Sequence, residues 1–218
     1  MSERPDRLLD GLWRWTARHP EWHPGAFGRE VASFALDTGG RGLLVDPLLP
    51  PDPAAVLALV DELAAGGADI VITIPYHVRS AEAIAERTGA TIWGHPAAAN
   101  RLADRSRFRE LAPGGPAPPG VEAVHVGRPR RFEMPALIAS HRAVAFGDAV
   151  VEVGGELRIW SQQPVDEGRA AWYRERFVPT LEPLLERDVE RVLVTHGEPV
   201  LAGGRDALAA ALARPPWH

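Results

Sequence analysis

Apolar residues in this chain fall into short runs separated by Gly, Pro and Asp, and the runs change period along the sequence. Residues 31–36 and 42–46 read as two strands around the turn Thr38-Gly39-Gly40-Arg41, an early hairpin. A helix is predicted next. Asp52 is placed to cap it, Pro53 suits its first position, and Gly66 with Gly67 ends it. Val56, Leu59, Val60 and Leu63 recur at helical spacing, so one face packs inward. Residues 69–73 form a nearly continuous apolar run, as in a strand buried on both faces. A loop, 74–79, leads to Ser80, which is predicted to cap a helix ending at Gly89; residues 90–93 form the next strand.

The second half repeats this layout without a repeat of fixed period. After a Pro- and Gly-rich loop at 112–120, short β segments are predicted at 121–126, 136–139, 143–146 and 157–160. The amphipathic stretch 167–187 is interrupted by Pro179 and Pro183, which predicts two helical pieces. A buried strand at 191–195 and a closing helix at 206–213 follow. Strands alternating with helices give an α/β protein.

Composition narrows the chemistry. With 218 residues, 45% of them hydrophobic, the chain has the length of one domain spanning 1–218, with residues 1–30 as a tryptophan-rich lead segment packed on it. Trp13, Trp15 and Trp22 are expected to cover a sheet edge or a pocket rim. There is no cysteine, so a metal would have to be held by His, Asp or Glu. No apolar run approaches the roughly 20 residues that cross a bilayer, and no signal-peptide pattern opens the chain. The expectation is a cytoplasmic protein without a membrane partner. All 24 basic residues are arginine on a chain of net charge −5. The short cluster Arg128, Arg130 and Arg131 does not point to nucleic acid on such an acidic domain. No Gly-x-Ser-x-Gly elbow, P-loop or dinucleotide fingerprint is present.

Two motifs carry a resemblance. Ala145-Phe-Gly-Asp-Ala-Val150 resembles the strand-end Gly-Asp of the metallo-β-lactamase superfamily, and Val192-Leu-Val-Thr-His-Gly-Glu-Pro199 resembles its late strand followed by His-Gly. The order of elements from about residue 30 onward agrees. The resemblance implies a four-layer αββα sandwich, and it implies that Asp148 and His196 stand where that superfamily has metal ligands.

The superfamily's His-x-His-x-Asp-His loop, however, is replaced. Counting from Thr73, Ile74, Tyr76, Val78 and Arg79 occupy the four ligand positions, and His77 falls on a spacer. Arg128 stands where another ligand histidine would follow a glycine. His77, Asp148 and His196 remain as candidate ligands, enough for one divalent ion, zinc by preference, or for none.

Two functions are open at this stage. One is a hydrolase-like enzyme acting on a small molecule, with His77 or His196 as base, Asp148 orienting it, and Arg79 holding an anionic group; Tyr76, Arg128 and Ser80 would line the substrate site. The other is a non-catalytic protein that binds an anion or a partner. In a metal-bound enzyme His77, Asp148 and His196 would be ligands and water the nucleophile; without metal, one or both of Arg79 and Arg128 are expected to neutralise Asp148 in its place. The plainer alternatives are an exposed His77, a turn-forming Asp148 and a structural His196. Asp46 reads as a strand-end turn residue and His141 as a surface residue, while His19, His23, His95, His125 and His218 have no motif context. Substrate and oligomeric state are not encoded in any motif.

Overall fold

The structure, a computed structural model, describes residues 4–22 and 27–218, so His23 lies outside it. A seven-stranded sheet holds β1 (Asp6–Leu9), β2 (Leu12–Arg18), β3 (Glu30–Asp37), β4 (Gly42–Val45), β5 (Ala68–Ile72), β6 (Thr91–Gly94) and β7 (Phe108–Glu110) in sequential order. Its first four strands pair antiparallel, and β4 to β7 run parallel. The second sheet contains β8 (Val121–Ala123), β9 (Ala136–Ile138) and β10 (Ala143–Phe146). The ribbon β11 (Val150–Val153) and β12 (Glu156–Ile159) stands apart, and β13 (Arg191–Val194) returns to pair parallel with β10.

Period-two alternation builds the layers. Phe34, Leu36, Leu43, Val45 and Val71 of the first sheet pack against Ala136, Ile138, Ala145 and Leu193 of the second. Their strand neighbours Ala35, Leu44, Ile70 and Ile72 point the other way. They meet α1 (Ala54–Ala64), α2 (Ala81–Thr88) and α3 (Pro96–Ala99). In β10, Ala143 and Ala145 face the first sheet, whereas Val144 and Phe146 face the π-helical turn at Tyr173–Phe177 that follows α4 (Glu167–Trp172), then α5 (Val178–Leu181) and α6 (Gly204–Leu212). The result is the αββα sandwich expected from the resemblance.

Several local expectations change. Pro53, not Asp52, precedes α1, and no side chain caps it. Ser80 gives no cap bond to α2; its hydroxyl accepts from the Leu49 amide and fastens the loop after β4. Residues 167–187 wind almost continuously, with a π-helical turn at Tyr173–Phe177 and a final 3-10 segment at Glu182–Glu186. Pro179 and Pro183 each fall in the first turn of a new segment, where a missing N–H leaves no bond unmade. Trp13 and Trp15 are not a cover: they sit in β2, paired to β3, and the buried Trp15 indole donates to the Leu48 carbonyl. His141 is buried rather than superficial, between the Ser140 hydroxyl and the Gly11 carbonyl.

A candidate active site at the strand ends

Four parallel-paired strands, β4 and β5 in one sheet and β10 and β13 in the other, present their carboxyl ends at one edge of the sandwich. The residue after β4 is Asp46, and the loop after β5 carries His77 and Arg79. Asp148 follows β10, and His196 follows β13. The Ala32 amide donates to the Thr195 carbonyl at 2.8 Å, which ties the two sheets together here.

Asp46 is a core residue of the site rather than a turn former. Its Oδ1 accepts from the Thr73 amide at 2.8 Å, and its Oδ2 takes the Thr73 hydroxyl. The same Oδ2 lies 2.9 Å from Nδ1 of His77. This bond turns the imidazole inward, so His77 is buried even though the register of the loop motif puts it on a spacer. The far nitrogen, Nε2, then faces Oδ1 of Asp148 at 3.5 Å, and Nε2 of His196 faces the same oxygen at 3.6 Å. Both separations exceed a direct hydrogen bond, and among the described residues Oδ1 has no other partner.

Asp148 meets a different arginine from those expected. Arg79 donates to the Asp46 carbonyl at 2.8 Å and to the Ala32 carbonyl at 3.3 Å, and Arg128 is exposed. Neither forms an ion pair with Asp148. Nη1 of Arg130 does, standing 3.6 Å from Oδ2. The reason is geometric: Arg79 leaves the first sheet with φ 45° and its guanidinium is taken up by carbonyls at the strand ends, whereas the 127–134 turn carries Arg130 under Asp148. Asp46, with φ 46°, also sits in the left-handed region, and two such residues beside one pocket fit a functional site that holds strain.

Glu133 was invisible to motif reading. It is fully buried, and its Oε1 accepts from the amides of Gly147, Asp148 and Ala149 at 2.9, 3.1 and 3.0 Å. A single carboxyl thus shapes the turn that carries Asp148. The nearest signal in the sequence is the arginine cluster Arg128, Arg130 and Arg131 just before it.

The electrostatics separate the two histidines. Burial and the nearby Arg79 push the His77 imidazole down, but Asp46 and Asp148 outweigh them and hold it above its ordinary value. Burial pushes His196 down, and its contact with Asp148 does not restore it. Burial would raise Asp148, yet the two imidazoles hold it well below the usual carboxylate range. Burial, with the nearby Asp148 charge, pushes Glu133 up to about 7 against the opposing effects of Arg130 and the Ala149 and Asp148 amides. The site therefore sets an imidazole raised by two carboxylates, His77, and one lowered by burial, His196, across a carboxyl held in its ionised form, Asp148.

A pocket of about 280 Å³ opens above these groups. His77, Asp148 and His196 form its floor, and Trp22, Phe27, Tyr76 and Trp160 form its walls. Phe27 contacts His196 edge-on at 4.5 Å between centroids. Tyr76, predicted at the substrate site, lines the rim with 63% of its surface exposed. Neither Ser80 nor Arg128 lines this pocket.

The donor set does not fit the metal centre that the resemblance implies. Ile74, Tyr76 and Val78 offer no ligand to one, and Arg79 is turned to carbonyls. His77, Asp148 and His196 approach one another through a single oxygen, but no group of three or more His, Asp or Glu among the described residues is set out to hold an ion. Buried Arg79 and Arg130 lie in the same cluster, and their charges oppose a dication there.

No protein-family model matches the chain, and no curated protein does. Solved structures do. A metallo-β-lactamase from Erythrobacter litoralis superposes with a TM-score of 0.67 at 14% identity, over 96% of this chain and 94% of that one. A metallo-β-lactamase from Pontibacter korlensis gives 0.65 at 14% identity, over 97% and 99%. The chemotaxis sensor ODP, determined as a peroxy diiron species, gives 0.62 at 14% identity, over 96% and 92%. At these identities what is shared is the fold.

Proposed function

We propose that this chain, which has the metallo-β-lactamase fold, is a hydrolase-like protein acting on a small molecule with its own cations in place of metal ions. The observation that carries the reading is how Asp148 is surrounded. Two imidazole nitrogens face one carboxylate oxygen, and a guanidinium faces the other. Separations of 3.5 and 3.6 Å leave no room for an oxygen between the atoms, but an oxygen of water or substrate seated beside them in the pocket is within bonding reach of an imidazole and Oδ1 together.

A division of labour follows. His196, the less basic of the two, removes a proton from the attacking water, and His77 in its imidazolium form delivers one to the leaving group. Asp148 stabilises the imidazolium formed at His196, and Asp46 fixes the orientation of His77 through Nδ1. Water adds to the substrate carbonyl, the bond to the leaving group breaks, and the two proton transfers balance.

The test is hydrolysis of a panel of p-nitrophenyl esters, thioesters and lactams by chelator-treated protein, beside its metal content. Turnover without metal that falls at least about 100-fold in both His77→Ala and His196→Ala supports the reading. Stoichiometric zinc, manganese or iron whose removal abolishes turnover would overturn the metal-free mechanism. Absence of turnover across the panel would favour a binding protein.

A further inference from the structure

Most arginines of this acidic chain are spoken for by a carboxylate or a backbone carbonyl. Two that stack on rings lining the pocket are not. The Arg101 guanidinium lies over the Tyr76 ring at 4.2 Å from its centroid, and that of Arg29 lies over Trp22 at 5.9 Å. Both aromatic rings line the pocket, and both arginines are exposed. Among the described residues neither guanidinium has a carboxylate within ion-pair distance. Stacking on a ring fixes a guanidinium while leaving its N–H edge free for an incoming oxygen.

The two come from unconnected parts of the chain. Arg29 precedes β3, on the Trp22 side of the opening. Arg101 follows α3, which packs on the turn carrying Tyr76. Each therefore stands on a different ring of the pocket lining. On the pocket lining the carboxylates are Glu21 at the rim and Asp148 on the floor, and Asp148 is already faced by Arg130 and two histidines. A free anion at the rim thus meets unpaired cations, on a chain whose net charge of −5 would otherwise repel it.

We propose that the pocket takes a ligand with an anionic group, a carboxylate or a phosphate, held at the rim by Arg29 and Arg101 while an apolar or ring-bearing portion enters between Trp22, Phe27 and Trp160. This rests on the hydrolase reading for what happens to the ligand but not for how it binds. Arginine suits the role because its fork matches carboxylate and phosphate oxygens two at a time. The aromatic walls supply contact area for the uncharged part, and a volume of about 280 Å³ admits a single ring with a short side chain.

The experiment measures binding of benzoate, phenylphosphonate and neutral benzamide to the wild-type chain by titration calorimetry and by the tryptophan indole signals in NMR. Both anions are expected to bind at least about tenfold more tightly than benzamide, with affinity falling as salt rises. Arg29→Gln and Arg101→Gln should each remove most of that preference and flatten the salt dependence, while leaving benzamide binding unchanged. A preference for phenylphosphonate over benzoate would assign a phosphate, and the reverse order a carboxylate. His196→Ala separates the two proposals: it should abolish hydrolysis and retain anion binding. Equal affinity for benzoate and benzamide, or anion binding unaffected in both arginine variants, would overturn the proposal.

Discussion

The guanidinium of Arg130 stands 3.6 Å from Oδ2 of Asp148 and lies over the Trp160 ring at 4.7 Å. It is held there by the turn in which the Arg130 amide donates to the Gly127 carbonyl and the Arg130 carbonyl accepts from Glu133. A cation held by backbone and ring meets a carboxylate whose turn is fixed by Glu133 through its three amide bonds.

Removing one member of this pair leaves a buried charge without its partner. Arg130→Met is expected to destabilise the fold by about 3 kcal/mol, as urea unfolding would read it. Arg130→Met combined with Asp148→Asn should recover part of that loss. A single-variant cost below roughly 1 kcal/mol would mean the pair is not what compensates Asp148.

Glu133 makes stability depend on pH. Its value of about 7 in the fold lies above the ordinary 4.5, so the folded state holds the proton more tightly. The associated stability is present below about pH 4.5 and is lost as pH rises through 7. Relative to Glu133→Gln, the wild type should therefore lose melting temperature between pH 5 and pH 8, by on the order of 5 °C. Parallel melting curves over that interval would contradict the assignment.

His77 behaves in a related way. Its folded-state value is raised by Asp46 and Asp148, so its contribution is complete below the ordinary 6.5 and disappears as pH climbs past the raised value. Asp46→Asn removes one of the two carboxylates and should bring the His77 titration down, as followed by its imidazole signals in NMR. His196 should titrate below 6.5 in the wild type.

Gly147 is required by close approach. A Cβ there would lie 2.7 Å from the Thr73 hydroxyl oxygen and 3.1 Å from Cγ2 of Ile74. Because that hydroxyl donates to Asp46, Gly147→Ala should disturb both halves of the site at once. The expected cost is about 1–3 kcal/mol in unfolding experiments, with altered shifts for His77.

Much of the architecture was legible in local patterns. The hairpin of β3 and β4, the buried run of β5 and the strand ends at Asp148 and His196 all follow from alternation and turn residues that act over a few positions. The missed elements had mixed signals. In β2, Leu-Trp-Arg-Trp-Thr-Ala-Arg alternates, but Arg14 faces inward to bond Glu198 and the Gly197 carbonyl, so a polar residue occupies a core position. The cap expected of Ser80 failed because the Leu49 amide was a better placed donor, and nothing near Ser80 in sequence reveals it.

By itself, the sequence determined the alternation of strands and helices and the residue types of the loop from Ile74 to Arg79. Side-chain identity and short-range periodicity are properties of the chain alone. Only the tertiary structure decided that His77 turns inward on Asp46, that Arg130 rather than Arg79 meets Asp148, and that Glu133 is buried enough to be pushed up to about 7. Charge interactions depend on separation in space and on exclusion of water, and residues far apart in the chain acquire both only when the sheets close on each other.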